Sequence, residues 1–335
     1  MNEGTNKYNQ GLFRGSQQHM RQNTNTIYKG IPEDKLKILE ELQNKFDLTK
    51  NLNNKVYNKE KKLLYYSVFG VDYTMLLELS LKSLIHTKQN KIFDVLFITD
   101  VYTLKLLRTL TCLKEFNWDY HLVTQPVDGV SASICKLKIY DYSKINDYGK
   151  ILFLDADIIS CGNFSDIFSQ STQGKFEAVK SPLERRDFPE YPDLFRGATL
   201  SHSLSFFTEK NKEYILKNNP VVFNAGHFYF ENTEQMKQHF KNILWLIEVW
   251  PSVYFFEQSF MNQYFNLNEL TSYLILNKHI SVTMHLFKGA PILSGELEKQ
   301  HEDTHTLIHF AGSTTFGRIK YQFIKFYCEQ FNICL

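Results

Sequence analysis

From Leu63 onward short apolar runs alternate with stretches of helical spacing, and this alternation constrains the fold more than any other feature of the chain. Leu63 to Phe69 is β-prone, and Leu76, Leu77, Leu81, Leu84 and Ile85 follow at the spacing of one helix face. Phe93 to Thr99 reads as a second buried strand and Leu104 to Phe116 as a second helix. Tyr120 to Val123 and Ile134 to Tyr142 repeat the pair, and Ile151-Leu152-Phe153-Leu154 is a fourth apolar strand that ends in acid. Strands separated by helices imply parallel βαβ units with right-handed crossovers and a sheet covered on both faces. Ligands bind such sheets at the carboxyl ends of their strands, which is where the acidic cluster after Leu154 falls.

The downstream half is mixed. Phe176 to Lys180, His227 to Phe230 and Thr306 to Phe310 read as strands. Glu234 to Glu248, Glu257 to Phe265 and Arg318 to Phe331 read as helices. Residues 1–30, rich in Asn, Gln, Gly and Lys, read as a disordered tail. Residues 31–62 read as a helix through Leu36, Leu39, Leu42 and Phe46 followed by a polar connector, and 63–335 as a single domain. Within it, 181–220 carries Pro182, Pro189 and Pro192 among charged residues and reads as a surface excursion, an acceptor loop or lid.

The 38 basic and 36 acidic residues leave a formal charge of +2, too balanced for a dedicated nucleic-acid binder. An anionic ligand therefore needs a local site. Five cysteines, odd in number and without a CxxC pair, fit neither a disulfide framework nor a zinc cage. The N-terminus shows no apolar signal segment, and the most apolar window, Ile243 to Phe256, is interrupted by Glu248 and Pro251. The expectation is a cytoplasmic protein with no transmembrane segment.

Four elements can carry chemistry. Asp155 and Asp157 follow the fourth strand, and in extended backbone side chains two apart share a side, with Cα atoms roughly 6–7 Å apart. Two carboxylates at that distance repel by roughly 3 kcal/mol at an effective dielectric of ~20, a penalty that a hard divalent cation removes. The alternative is a solvated turn. His309, at the end of Leu307-Ile308-His309-Phe310-Ala311-Gly312, can complete a mixed oxygen and nitrogen shell or sit as a satisfied core histidine. In Val222-Phe223-Asn224-Ala225-Gly226, Asn224 offers both a donor and an acceptor to sugar hydroxyls, and the glycine admits close backbone approach; by itself the segment reads as a turn. Glu257 and Gln258 open a helix, where an acidic residue also complements the helix dipole.

In this order the four elements resemble glycosyltransferase family 8, the group that includes glycogenin and bacterial lipopolysaccharide sugar transferases. The resemblance runs from about Leu64 to Gly312. Cys135-Lys136-Leu137 stands where the family has a Lys-Leu pair, and Asp72-Tyr73 where it has a base-contacting tyrosine. The resemblance implies a GT-A fold, a Rossmann-like and mostly parallel sheet flanked by helices with a mixed C-terminal half. It implies a UDP-sugar donor, UDP-glucose first, with manganese (or magnesium) and retention of anomeric configuration. Asp155, Asp157 and His309 would then be metal ligands. Tyr73 would lie near uracil, Lys136 beside the nucleotide-sugar, and Gly312 at the cofactor. Asn224, Glu257 and Gln258 would meet the donor sugar, with Glu257 replacing the usual Asp. The family's Lys-Pro-Trp ending is missing, which leaves Arg318 and Lys320 as alternative phosphate contacts.

The acceptor, a glycan, protein or lipid, is not readable, and a homodimer is compatible with the sequence. Two rival readings remain at this stage. One is a haloacid-dehalogenase-type phosphohydrolase, which also places DxD after an apolar strand with the first Asp as nucleophile. The other is a GT-A protein that binds nucleotide-sugar or glycan without turnover.

Overall fold

The computed structural model describes residues 33–180, 221–249, 256–283, 305–311, 317–330 and 332–333. The expected tail (1–30) and excursion (181–220), together with Gly312, lie outside the described residues.

The first unit is strand β1 (Lys62–Ser67), helix α2 (Gly70–His86) and strand β2 (Asp94–Thr99), preceded by helix α1 (Glu33–Thr49). Along β1, Leu64 and Tyr66 enter the hydrophobic cluster on one face of the sheet, and Leu63 and Tyr65 that on the other. Strand β4 (Lys150–Leu154) divides in the same way, Leu152 and Leu154 against Ile151 and Phe153. Strands buried on both faces read as continuous apolar runs, which is why these were visible in the sequence. Helix α2 buries Leu76, Leu77, Leu81 and Leu84 on the first face.

Helix α3 (Val101–Leu107) starts at Asp100, whose carboxylate accepts from Thr103 N at 2.8 Å. It is shorter than the run to Phe116 predicted from the sequence. The Thr109 hydroxyl bonds to Leu106 O where the helix stops, and a 3₁₀ turn at Thr111–Glu115 follows. Strand β3 (Trp118–Leu122) closes the edge. The third predicted helix is also divided. Helix α4 (Gly129–Ile134), capped reciprocally by Asp128 and Ser131, runs into a 3₁₀ segment at Cys135–Asp141 that is kinked at Lys138.

Strands β5 (Ile158–Ser160), β6 (Phe176–Lys180), β7 (Phe223–Glu231), β8 (Thr271–Ser272), β9 (Ile280–Thr283) and β10 (Leu307–Phe310) complete two sheets. The larger has the order β3-β2-β1-β4-β7-β6-β8, with β7 antiparallel to its neighbours β4 and β6; the smaller is β5-β10-β9. Helix α5 (Glu234–Val249) buries Met236, Phe240, Ile243 and Leu246, and helix α6 (Phe256–Leu267) packs beside it. Helix α1 docks on this pair, with Phe46 stacked on His239 and Asn242 donating to Thr49 Oγ1 at 3.1 Å. Helix α7 (Gly317–Gln330) lies over the smaller sheet, where Phe310 meets Phe323 and Tyr327 edge-on. No described helix is long and apolar enough to cross a membrane.

Candidate active site

Two strand registers bring the site together. In the larger sheet Leu154 pairs with His227, so Asp155 N donates to Gly226 O at 2.7 Å just beyond the end of β4. In the smaller sheet His309 pairs with Ile158, and Phe310 N donates to Asp157 O at 3.1 Å. Asp155 and Asp157 occupy the switch between the sheets. They are not in the extended geometry expected from sequence. The chain turns, with Ile158 N bonded to Asp155 O at 3.2 Å, because it leaves one sheet to begin the other.

Each carboxylate divides its oxygens between a lysine and the histidine. Asp155 Oδ1 lies 3.4 Å from Lys136 Nζ, and Oδ2 lies 4.0 Å from His309 Nε2. Asp157 Oδ2 accepts from Lys320 Nζ at 2.7 Å, and Oδ1 lies 3.3 Å from His309 Nε2. That Oδ1 is fully buried and, among the described residues, His309 is its nearest partner. Ligand atoms of Asp155, Asp157 and His309 all fall within 4.8 Å of one another. An ion about 2.1 Å from each donor separates neighbouring donors by about 3.0 Å and opposite ones by about 4.2 Å; the 3.3 and 4.0 Å from His309 Nε2 to the two carboxylates fall in that range, as a divalent cation requires. Two carboxylates and an imidazole without a thiolate form an oxygen-rich donor set of the kind that hard or borderline divalent metals accept.

Electrostatics separates the two acids. Burial raises the Asp155 carboxyl above its ordinary range despite Lys136, with Asp157 adding to the rise. Burial also acts against the charged form of Asp157, but Lys320 and His309 outweigh it and hold that carboxyl well below the usual range. Desolvation opposes the charge on Lys136, and Asp155 and Glu257 more than restore it. Lys136 Nζ reaches Glu257 Oε1 at 2.8 Å and Ala225 O at 3.1 Å.

Gly226 explains the small-residue end of the Asn224 motif, which is the start of a long strand rather than the turn read from the sequence. A Cβ here would fall 2.5 Å from His309 Cε1, 2.6 Å from Asp155 Oδ2 and 2.8 Å from Asn224 Oδ1. Asn224 Oδ1 accepts from Gly226 N at 2.7 Å, and Gln258 Oε1 accepts from Ala225 N at 2.9 Å. These residues line a cleft of about 520 Å³ together with Tyr73, Lys136 and Lys320, and Pro126 to Gly129 form part of its wall.

The described site residues expected from sequence, Tyr73, Lys136, Asp155, Asp157, Asn224, Glu257, Gln258 and His309, thus share one cleft. Of the two alternative cations, Lys320 is in the site, and the Arg318 side chain lies outside the described residues. Sequence reasoning missed His227. It is buried, its ring nitrogens have no hydrogen-bond partner among the described residues, and it meets the His309 ring edge-on at 5.0 Å. Burial and the neighbouring His309 push it well below the ordinary imidazole range. Its one signal was a histidine inside an otherwise apolar strand.

A mostly parallel sheet whose central strand ends in a paired-acid, histidine-completed cleft defines the GT-A class of glycosyltransferase folds. The chain belongs to glycosyl transferase family 8, whose profile matches residues 14–315. Among relatives, galactinol synthase 3 of Arabidopsis thaliana is 27% identical over 224 residues, 64% of either chain. Galactinol synthase 4 of the same plant is 29% identical over 140 residues, covering 39% of this chain and 36% of that relative. The chain therefore spans less than two thirds of these relatives' length. The galactosyltransferase LgtC, solved with donor and acceptor sugar analogs, shares the fold at a TM-score of 0.51 and 13% identity, over 78% of this chain and 94% of that one.

Proposed function

We propose that the chain is a metal-dependent, retaining glycosyltransferase that moves a hexosyl group from a UDP-sugar to an acceptor hydroxyl. Asp155, Asp157 and His309 hold the ion, and a bound divalent cation offsets the charge that develops on the diphosphate leaving group. The observation that carries this reading is the convergence of Asp155, Asp157 and His309, whose ligand atoms lie within 4.8 Å of one another, with the buried Asp157 Oδ1 3.3 Å from His309 Nε2. Two carboxylates converging on one imidazole repel each other, and a hard divalent cation relieves that repulsion.

The chain's own residues supply the rest. Tyr73, at the cleft edge, takes the uracil. Asn224 and Gln258 have their carbonyl oxygens engaged by backbone N–H groups, so each turns its amide donors to the sugar hydroxyls. Lys136 holds a fixed positive charge beside Asp155, within reach of the nucleotide-sugar. Glu257, the longer replacement for the family's Asp, is neutralised by Lys136 at 2.8 Å. A paired carboxylate is a poor nucleophile, which supports attack by the acceptor on the face the diphosphate leaves, through an oxocarbenium-like transition state. The family 8 profile match over residues 14–315 counts against a phosphohydrolase in which Asp155 attacks.

The donor panel starts with UDP-glucose, and the galactinol in the relatives' names puts UDP-galactose beside it. UDP release is measured with and without manganese. Manganese-dependent release from one sugar is the expected result. Phosphate-ester hydrolysis without sugar transfer refutes the reading, and binding without turnover across an acceptor panel replaces it with a non-catalytic one. Intact mass after incubation with the donor tests whether a tyrosine of the chain itself is an acceptor.

A further inference from the structure

We infer that Lys320 is a built-in counter-cation that holds Asp157 to one-oxygen coordination, so that the site retains a divalent ion only together with a diphosphate. The inference rests on the proposed reading of the cleft as a metal and nucleotide-sugar site. Lys320 Nζ donates to Asp157 Oδ2 at 2.7 Å, and the two side chains are only 5% and 8% exposed. Oδ1 is thereby left as the one Asp157 atom for a metal, already aimed at His309 Nε2. Lys136 treats Asp155 in the same way, taking Oδ1 and leaving Oδ2 on the histidine side. Groups that hold the far side of a ligand fix its orientation and tune its hold on the ion.

The charges give the arrangement a consequence. Ionised Asp155, Asp157 and Glu257 carry three negative charges against the two positive charges of Lys136 and Lys320. A divalent ion alone would turn the cluster net positive, with a buried ammonium on one of its ligands. Two negative charges of a diphosphate reverse that sign. Lys320 also lines the cleft, together with Phe69 and Tyr73. Lys320 is thus a positioning residue for the ligand set, and it sets the order of binding by weakening capture of the free ion.

The test is manganese binding to the full chain, followed by the electron paramagnetic resonance of free Mn²⁺, with and without UDP. Wild-type protein is expected to bind Mn²⁺ weakly alone and much more tightly with UDP. Lys320→Met is expected to bind Mn²⁺ alone about tenfold more tightly, because one nearby positive charge is gone, and to gain less from UDP. Lys320→Arg keeps the charge and is expected to behave as wild type. A purely structural role would not produce a gain in metal affinity. If the Met variant does not fold, Lys320→Gln, which preserves a hydrogen bond to Asp157, carries the same expectation. Neutral variants that bind Mn²⁺ no more tightly than wild type, while wild type binds it with UDP, overturn the inference alone. Failure of wild type to bind Mn²⁺ with UDP overturns the metal reading beneath it.

Discussion

Gly226→Ala is the sharpest probe of the ligand geometry, because the added carbon points at the ligands rather than at the core. Taking 3.4 Å as the near edge of ordinary contact, His309 has to retreat by about 0.9 Å (3.4 − 2.5) and Asp155 Oδ2 by about 0.8 Å (3.4 − 2.6). Metal sites tolerate departures of about 0.2 Å in their ligand distances, so two displacements of this size disable the set. Even changes outside the direct ligands cost 10–100-fold in metal affinity, and the loss here is expected at or beyond about 100-fold. The fold should suffer less. Gly226 is not among the glycines with positive φ, so the penalty is that of overpacking, about 1–3 kcal/mol. Manganese titration in the presence of UDP, with thermal unfolding of the same samples, separates the two effects. Wild-type manganese affinity in a folded Ala variant would show that the ion is not held by Asp155 and His309, and the reasoning would fail.

Other perturbations read other parts of the structure. Asp157→Ala leaves buried Lys320 without its carboxylate and should cost about 3–5 kcal/mol in urea unfolding, whereas Asp157→Asn keeps the shape and should lose metal-dependent turnover at a smaller cost. Full turnover in the Asn variant would refute the ligand assignment. Gly149→Ala provides a contrast, since its Cβ would run into the backbone of Asn58 and Lys59; about 3 kcal/mol of stability should go, seen as lower Tm before any change in ligand affinity. Acid should weaken the fold through His239, whose imidazole burial pushes down to about 4 from 6.5. The neutral ring is fully tolerated above pH 6.5; below it the unfolded chain takes the proton first, and stability falls by about 3 kcal/mol by pH 4. His239→Gln should flatten that part of the pH profile in equilibrium unfolding, and an unchanged slope would assign it to other groups.

What could be read from the sequence follows from how each signal arises. The strands β1, β2 and β4 are buried on both faces, so the apolar run is itself the signal, and the acids after Leu154 fall at the strand end where such a sheet binds ligands. The strands β5, β8 and β9 are two to four residues long and leave no period to detect. The division of the second and third helices goes with a hydroxyl bond at Thr109 and a backbone kink at Lys138, local features that hydrophobic spacing does not encode. Asn224 and Gly226 resemble a turn because the small and amide residues that pack against Asp155 and His309 are those that favour turns elsewhere. The pairing of Lys320 with Asp157 spans 163 positions, and no local pattern announces a contact of that range.

The smaller sheet is the least conspicuous part of the fold, yet the ligand set depends on it. Asp155 is placed by β4 and β7, but Asp157 and His309 are brought into reach by the antiparallel pairing of β5 with β10. Side chains alternate along a strand, so a slip of one residue in that pairing would present Ile308 or Phe310 to the acid pair and turn His309 away. The register is pinned on the far side by burial. Leu307, Ile308 and Phe310 sit in the same hydrophobic cluster as Ile324 and Tyr327 of α7, the helix that also carries Lys320. Helix α7 therefore couples two tasks: its apolar face sets the position of His309, and its lysine sets the orientation of Asp157. Loosening that helix by truncating Tyr327 should lower metal affinity even though Tyr327 is no ligand, and measuring both affinity and Tm across such variants tests whether the two fall together.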